Sequence, residues 1–332
     1  MKLKFGDPEE KERVGGFRKD QSAEDFIQEL NLSLRDLEDK LSAGLEAPKL
    51  PVTFVLGVPR CGSTLFMQIA VSSFELAYPS NLMARFFLAP SVGAWLHRLL
   101  IPKAVRKSGE FESQYGVTAS PEEPHEFGYF WTSHFPVGTT HQLSEEELAN
   151  VDAPKLRRSL ASIEDVLGKP CIFKSLNMDF LVTFLFRELP KTLFVYVRRA
   201  PYFLAQSIYL GRISRYGTPD AWWSLRPGQY EALKKLDNFH QVAGQVWAII
   251  GELERQLDGI PQRNKLIIDY EAMCRHPERE LAKYAKRMSD LGAPLNRIGP
   301  PLEKLPSGDV HRLSPEEKSK LQAAIEEMRD RA

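Results

Sequence analysis

Cysteine is scarce. The 332-residue chain has three, Cys61, Cys171 and Cys274, widely spaced and odd in number. That pattern supplies neither a disulfide framework nor the paired spacing of a zinc site, and it suits a reducing compartment. Net charge is absent too: Lys plus Arg and Asp plus Glu each total 44. A balanced chain has no global basic field for nucleic acid and no acidic solvating tail, so any anion must be held by a local site. No long apolar run stands out. The most hydrophobic stretch, Arg85 to Pro102, is interrupted by Pro90, Gly93, His97 and Arg98, too broken to span a bilayer. Met1 is followed by charged residues rather than a signal-peptide h-region, and the chain is therefore expected to be cytoplasmic. His97, His134, His141, His240, His276 and His311 show no ligand spacing, and no internal repeat is present.

What is present is a series of alternating strand and helix signals. Residues 1–46 divide into a charged, glycine-bearing arm (1–20) and an amphipathic helix. Ser22 and Asp25 resemble an N-cap box, followed by Leu30, Leu34, Leu37, Leu41 and Leu45 at three- and four-residue steps. This short seam is expected to pack on the main domain, with a homodimer as the alternative. The remainder, 47–332, is expected to form one main domain. Val52–Leu56 has the apolar, β-branched content of a buried parallel strand, and a glycine turn and a helical pattern from Ser63 to about Phe74 follow. Further strands are expected at 171–173, 192–197 and 265–268, and helices near 201–212, 277–291 and from Ser314 onward. The alternation predicts an α/β fold, a three-layer sandwich with a mostly parallel central sheet and helical insertions. Residues 80–165 are expected to be a long insertion that lines or covers an acceptor site.

The turn reads Gly57-Val-Pro-Arg60-Cys61-Gly62-Ser63-Thr64. A helix that starts here presents unpaired N–H groups and the positive end of its dipole, which together favour an anion. Gly62 lets the backbone approach a phosphate, and Ser63 and Thr64 add hydroxyls. The G-x-x-x-x-G spacing is that of a Walker loop, but Ser63 stands where a nucleotidase needs its lysine. The cation comes earlier, at Arg60.

With that departure the segment resembles the 5′-phosphosulfate loop of sulfotransferases that use 3′-phosphoadenosine 5′-phosphosulfate (PAPS), a family with a P-loop-like fold that has bacterial members. The resemblance implies that Gly62, Ser63, Thr64 and Leu65 hold the 5′-phosphate, that Arg60 balances the bridging and sulfuryl oxygens, and that Cys61 fills a slot for a small residue. The family's 3′-phosphate site pairs an arginine at a strand end with a serine eight residues later. Here Tyr196-Val-Arg198-Arg199-Ala-Pro201 leads to Gln206-Ser207, which places Arg199 and Ser207 in those roles. Lys169 through Lys174-Ser175 resembles the strand whose terminal lysine, Lys174, lies near the transferring group. Asp269-Tyr270-Glu271 through Pro277 resembles a late structural hallmark. Cytosolic members carry a histidine base two residues after the lysine, but this chain has Leu176 there. The replacement is expected in Pro121-Glu-Glu-Pro-His125-Glu126-Phe127, which is similar to a segment of many bacterial sulfotransferases, with Glu126 preferred and His125 second.

The expected activity is direct in-line transfer of a sulfuryl group from PAPS, as co-substrate, to a hydroxyl (or amine) of a small-molecule, lipid or glycan acceptor. No metal is expected to be required, because Arg60, Lys174 and backbone donors can balance the leaving charge. The alternatives are a P-loop kinase or nucleotidase, which the missing lysine disfavours, and a non-catalytic PAPS-binding protein. Aromatic residues at Phe86, Phe87, Trp95, Phe111, Tyr115, Phe127, Tyr129, Phe130 and Trp131 suit several acceptor classes alike.

Overall fold

The structure, a computed structural model, describes residues 12–101, 118 and 120–331. Four parallel strands form one sheet in the order β2-β1-β3-β4: β1 is Val52–Leu56, β2 Ile172–Lys174, β3 Thr192–Arg198 and β4 Lys265–Asp269. The expected strands are all present, with ends displaced by a residue or so. β2 begins at Ile172 and runs on to include Lys174.

Side chains alternate along β1 and β3, and both faces are apolar because both are covered. Val52, Phe54, Leu56, Phe194 and Tyr196 enter one core; Val55, Leu193, Val195 and Val197 enter the other. On the first face Phe54 stacks between Phe173 and Phe194, with centroids 5.9 and 6.1 Å away, and Trp131 meets it edge-on. Gly128–His134, Ala153–Leu167 and Val182–Glu188 cover this face; Ser63–Ser73, Pro201–Tyr216, Asn238–Asp258 and Pro277–Asp290 cover the other. The result is a helix–sheet–helix sandwich of P-loop-like type. Between residues 80 and 165 the described residues form helices and loops, and Phe127, Phe130 and Trp131 pack directly on the sheet.

The sheet order creates the crevice. The chain leaves β1 toward β2 and returns across it to β3, so the carboxyl ends of β2, β1 and β3 open onto a shared gap at a topological switch point.

The N-terminal region departs from expectation in four ways. Asp20, not Ser22, caps the first helix (Gln21–Ser33): its carboxylate accepts from the N–H groups of Ser22 and Ala23. The helix breaks at Leu34, where the Ser33 hydroxyl bonds back to the Leu30 carbonyl, and resumes as Arg35–Leu41. The docking face is polar. Asn31 bridges the Arg85 carbonyl and the Leu88 N–H, and the Glu38 carboxylate accepts from the N–H and hydroxyl of Ser91, while Leu37 and Leu41 stay exposed. The arm is also anchored, through Val14 N–H to the Arg215 carbonyl and Lys19 to the Tyr129 hydroxyl; residues 1–11 of the expected loose arm lie outside the described residues. Among the described residues no helix is long and apolar enough to cross a membrane.

Candidate active site

A cavity of about 820 Å³ opens at the carboxyl edge of the sheet. Its floor is the turn after β1. Arg60 there adopts a left-handed backbone (φ 77°), a strained conformation for a non-glycine residue, and Gly62 does so at φ 99°. Gly62 is required by contact as well, because a Cβ would lie 2.4 Å from the Tyr270 ring. The first helical bond runs from Phe66 N–H to the Gly62 carbonyl, which leaves the N–H groups of Ser63, Thr64 and Leu65 outside the helical ladder. Gly62, Ser63, Thr64 and Leu65 all line the cavity. Cys61 stands apart: its thiol is fully buried in the core and its N–H is bonded to the Val58 carbonyl. Burial raises that thiol's pKa, so it has no thiolate character.

β3 ends beside this turn and carries Arg199 to it. Arg199 donates from Nη1 to the Arg60 carbonyl at 2.7 Å, and Arg60 donates from Nε to Ser207 Oγ at 2.9 Å. Arg60, Arg199 and Ser207, distant in sequence, thus form one cluster. Arg198 points outward, paired with Asp269 at the sheet edge. Two partners of Arg199 escaped the sequence reading. The Tyr270 ring lies 4.4 Å from its guanidinium, and Asp309 accepts from its Nε and Nη2 at 2.8 and 2.7 Å. The Tyr270 hydroxyl takes the Gly308 N–H, so the 307–309 loop folds against the cavity. The hallmark tyrosine therefore supports the floor and holds the arginine in place.

β2 supplies Lys174 from the other side. It is buried, and its ammonium pairs with the carboxylate of Glu126. Glu126 is 38% exposed, into the cavity it lines. Burial acts to raise its pKa, but the charge and hydrogen bond of Lys174 prevail, with help from His125 and Arg215, and hold the carboxyl below its ordinary range. His125 lines the same wall. Burial pushes its imidazole down to about 4, with Arg85 and Lys174 adding to the effect and Glu126 opposing it. Its Nδ1 accepts from the Phe127 N–H at 2.8 Å, so the neutral ring keeps its proton on Nε2 and has no free basic nitrogen there.

Below the turn, Asp179 is fully buried and accepts the Gly57 N–H at 3.0 Å; its second oxygen has no hydrogen-bond partner among the described residues. Burial holds its carboxyl well above the usual range. The loop after Pro201–Tyr216 contributes Trp222, Trp223 and Arg226, and the short helix that follows it contributes Tyr230, none expected from the sequence. The only signal for it was the Trp222-Trp223 pair itself. Of the aromatic candidates, Phe127, Phe130 and Trp131 are core residues, and Phe111 and Tyr115 lie outside the described residues.

Among the described residues, seven Lys and Arg side chains line the cavity (Arg13, Arg60, Lys174, Arg199, Arg215, Arg226 and Arg312) against one carboxylate, Glu126. In a chain of zero net charge, the described lining of this concavity is rich in cations.

A model described as the sulfotransferase family matches residues 51–287 of the chain. Among solved structures, the fold resembles sulfotransferase STF1 from Mycobacterium tuberculosis (TM-score 0.52, 13% identity, covering 94% of this chain and 85% of that one). It likewise resembles sulfotransferase STF9 from Mycobacterium avium (TM-score 0.50, 14% identity, covering 95% and 78%). No curated protein matches the chain in sequence.

Proposed function

The chain belongs to the sulfotransferase family, and from that premise we propose that it transfers a sulfuryl group from PAPS to a hydroxyl (or amine) acceptor. The observation that carries the choice of donor is the Arg60–Ser207–Arg199 cluster. A helix N-terminus with an arginine in its turn suits a 5′-phosphosulfate, and an arginine and a serine on the next β–α unit suit a second phosphate. The left-handed turn at Gly62, closed by Tyr270, leaves backbone rather than side chain facing that first anion.

In this reading Glu126 is the base. The acceptor oxygen forms a bond to sulfur while the bridging S–O bond breaks; the electron pair leaves on 3′-phosphoadenosine 5′-phosphate, and the acceptor proton passes to Glu126. Lys174 couples binding to basicity. Paired with Lys174, Glu126 is a weak base; a donor anion that draws the ammonium away removes the charge and hydrogen bond that lower its pKa. Arg60 and Lys174 neutralise charge on the leaving group. The loops of 118–141 that line the cavity serve the acceptor, and the protein acts in the cytoplasm.

The test is incubation of pure protein with ³⁵S-labelled PAPS and an acceptor panel in EDTA, with ATP in parallel. Labelled product with EDTA present supports the proposal. Strictly Mg²⁺-dependent ATP turnover would sink it, and donor binding without transfer to any acceptor would favour a binding protein.

A further inference from the structure

Three side chains fix the backbone of the turn after β1, and each comes from just beyond a different strand. Tyr270, the residue after β4, closes on Gly62. Arg199, the residue after β3, donates to the Arg60 carbonyl. Asp179, a little beyond the end of β2, accepts the Gly57 N–H through Oδ1 at 3.0 Å. Arg199 and Tyr270 line the cavity; Asp179 does not, and its side chain is fully buried. Its influence on a ligand therefore passes through Gly57.

Sheet geometry explains why the turn needs that acceptor. Thr53 sends its N–H to the Cys171 carbonyl on the β2 side. Successive strand residues alternate in direction, so Val55 and then Gly57 turn the same way. β2 ends at Lys174, the register partner of Val55, and its ladder stops short of Gly57. The chain turns instead through a short 3₁₀ segment, Leu176–Phe180, which carries Asp179 to the waiting N–H. Gly57 has little room to move: its φ is 143°, and a Cβ would lie 2.6 Å from both Cys61 Sγ and the Val197 carbonyl. A buried N–H with no acceptor is costly, and Asp179 removes that cost. The segment from Lys174 also lines the cavity with Ser175, Leu176 and Asn177. One piece of chain thus places both the ammonium paired with Glu126 and the acceptor beneath the turn.

The carboxyl suits this place as a neutral group. Burial favours its protonated form against the Gly57 hydrogen bond and the Lys174 charge, and the Glu126 charge adds to burial. With Oδ1 occupied, the proton belongs on Oδ2, the oxygen without a hydrogen-bond partner among the described residues. A carboxylate here would set negative charge beneath a site for an anion; the neutral acid offers an acceptor without it.

We infer that Asp179 is a positioning residue for the donor: by holding the Gly57 N–H it sets the path of the turn 57–62, and with it the N–H groups of Ser63, Thr64 and Leu65 that meet the 5′-phosphosulfate. This rests on the sulfotransferase reading above and adds to it a residue outside the cavity.

The test titrates the full chain by calorimetry with 3′-phosphoadenosine 5′-phosphate and, by competition, with adenosine 3′-phosphate, which lacks the 5′ group. Asp179→Asn keeps a carbonyl oxygen in place and should bind both nucleotides within about twofold of the wild type. Asp179→Leu is similar in size but has no acceptor. It should bind 3′-phosphoadenosine 5′-phosphate about tenfold more weakly, the size of one hydrogen bond left unmade, and adenosine 3′-phosphate as the wild type does. Unchanged binding of both nucleotides by Asp179→Leu, an equal loss of both, or an Asp179→Asn protein as weak as Asp179→Leu would overturn the inference. Amide hydrogen exchange at Gly57 covers an Asp179→Leu protein that does not fold. A protected amide in the wild type and in Asp179→Asn supports the inference, and exchange at the rate of an open loop overturns it. A wild type that binds neither nucleotide would defeat the donor reading itself, whereas the Gly57 exchange reads Asp179 alone.

Discussion

Arg60 Nε lies 2.9 Å from the hydroxyl of Ser207, a residue 147 positions later in the chain. This contact joins the turn after β1 to the helix after β3, so that two separate β–α units meet in the one cluster proposed to hold the donor. Arg199 completes it by donating to the Arg60 carbonyl, which the left-handed backbone at Arg60 turns toward it.

Arg199→Ala removes a bidentate cation and the support of that carbonyl. Affinity for 3′-phosphoadenosine 5′-phosphate should fall by about a hundredfold, and affinity for adenosine 5′-phosphosulfate, which lacks the 3′-phosphate, by about tenfold or less. Calorimetry on both nucleotides checks this, and equal losses would remove Arg199 from the 3′-phosphate site.

Asp309 occupies the atoms of Arg199 that a phosphate would use. Asp309→Asn should therefore tighten nucleotide binding by roughly three- to tenfold while lowering the melting temperature of the free protein, because it leaves a buried guanidinium without its counter-charge. Thermal denaturation with and without nucleotide reads both effects. Weaker binding in the variant would instead make Asp309 part of the binding surface.

Glu126→Gln should lower kcat by about 10² to 10⁴, the usual worth of a positioned base, with little change in nucleotide affinity. A base must be deprotonated, so activity falls as pH drops through its pKa. In the free protein Lys174 holds that pKa below 4.5, so the acid limb of kcat/KM should lie low. On the proposed mechanism, in which the bound donor draws Lys174 away, the acid limb of kcat should lie higher. Coincident limbs would contradict the coupling between Lys174 and Glu126.

Gly62→Ala forces a Cβ into the Tyr270 ring at a left-handed φ. A loss of about 1–3 kcal/mol in stability is expected from the backbone conformation alone. Nucleotide binding should be lost with it. Urea denaturation and calorimetry measure the two, and unchanged binding would show that the turn tolerates a wider path.

Glu38 anchors the N-terminal helix from a buried position. Burial raises its pKa above 4.5, with the Ser91 and Ser162 hydrogen bonds opposing. A raised folded-state pKa contributes stability that is fully present below the unfolded value and is lost as pH rises through the folded one. From pH 8 to pH 5 the wild type should therefore gain melting temperature relative to Glu38→Gln. Parallel shifts in the two proteins would mean that Glu38 does not titrate differently in the folded state.

Local features of the chain were legible without coordinates. Val52–Leu56, the glycine turn and the helix from Ser63 lie within about 20 consecutive residues, where hydrophobic period and turn chemistry report directly on conformation. The spacing of Arg199 and Ser207 spans one strand end and two helical turns, so it too is a short-range property. The leucine steps of the N-terminal helices were legible as helix but not as a docking face. Asn31 and Glu38 found partners at Arg85, Leu88 and Ser91, and no pattern within the helix announces those.

The sequence alone determined the α/β alternation, the glycine turn at the helix start and its missing Walker lysine, because each is written in neighbouring residues. Only the tertiary structure decided that Glu126 meets Lys174 across 48 positions, that Asp309 covers Arg199 across 110, and that Arg215 faces the cavity while Arg212 does not. Those pairings depend on the strand order β2-β1-β3-β4, which burial of both sheet faces selects and which no local periodicity encodes.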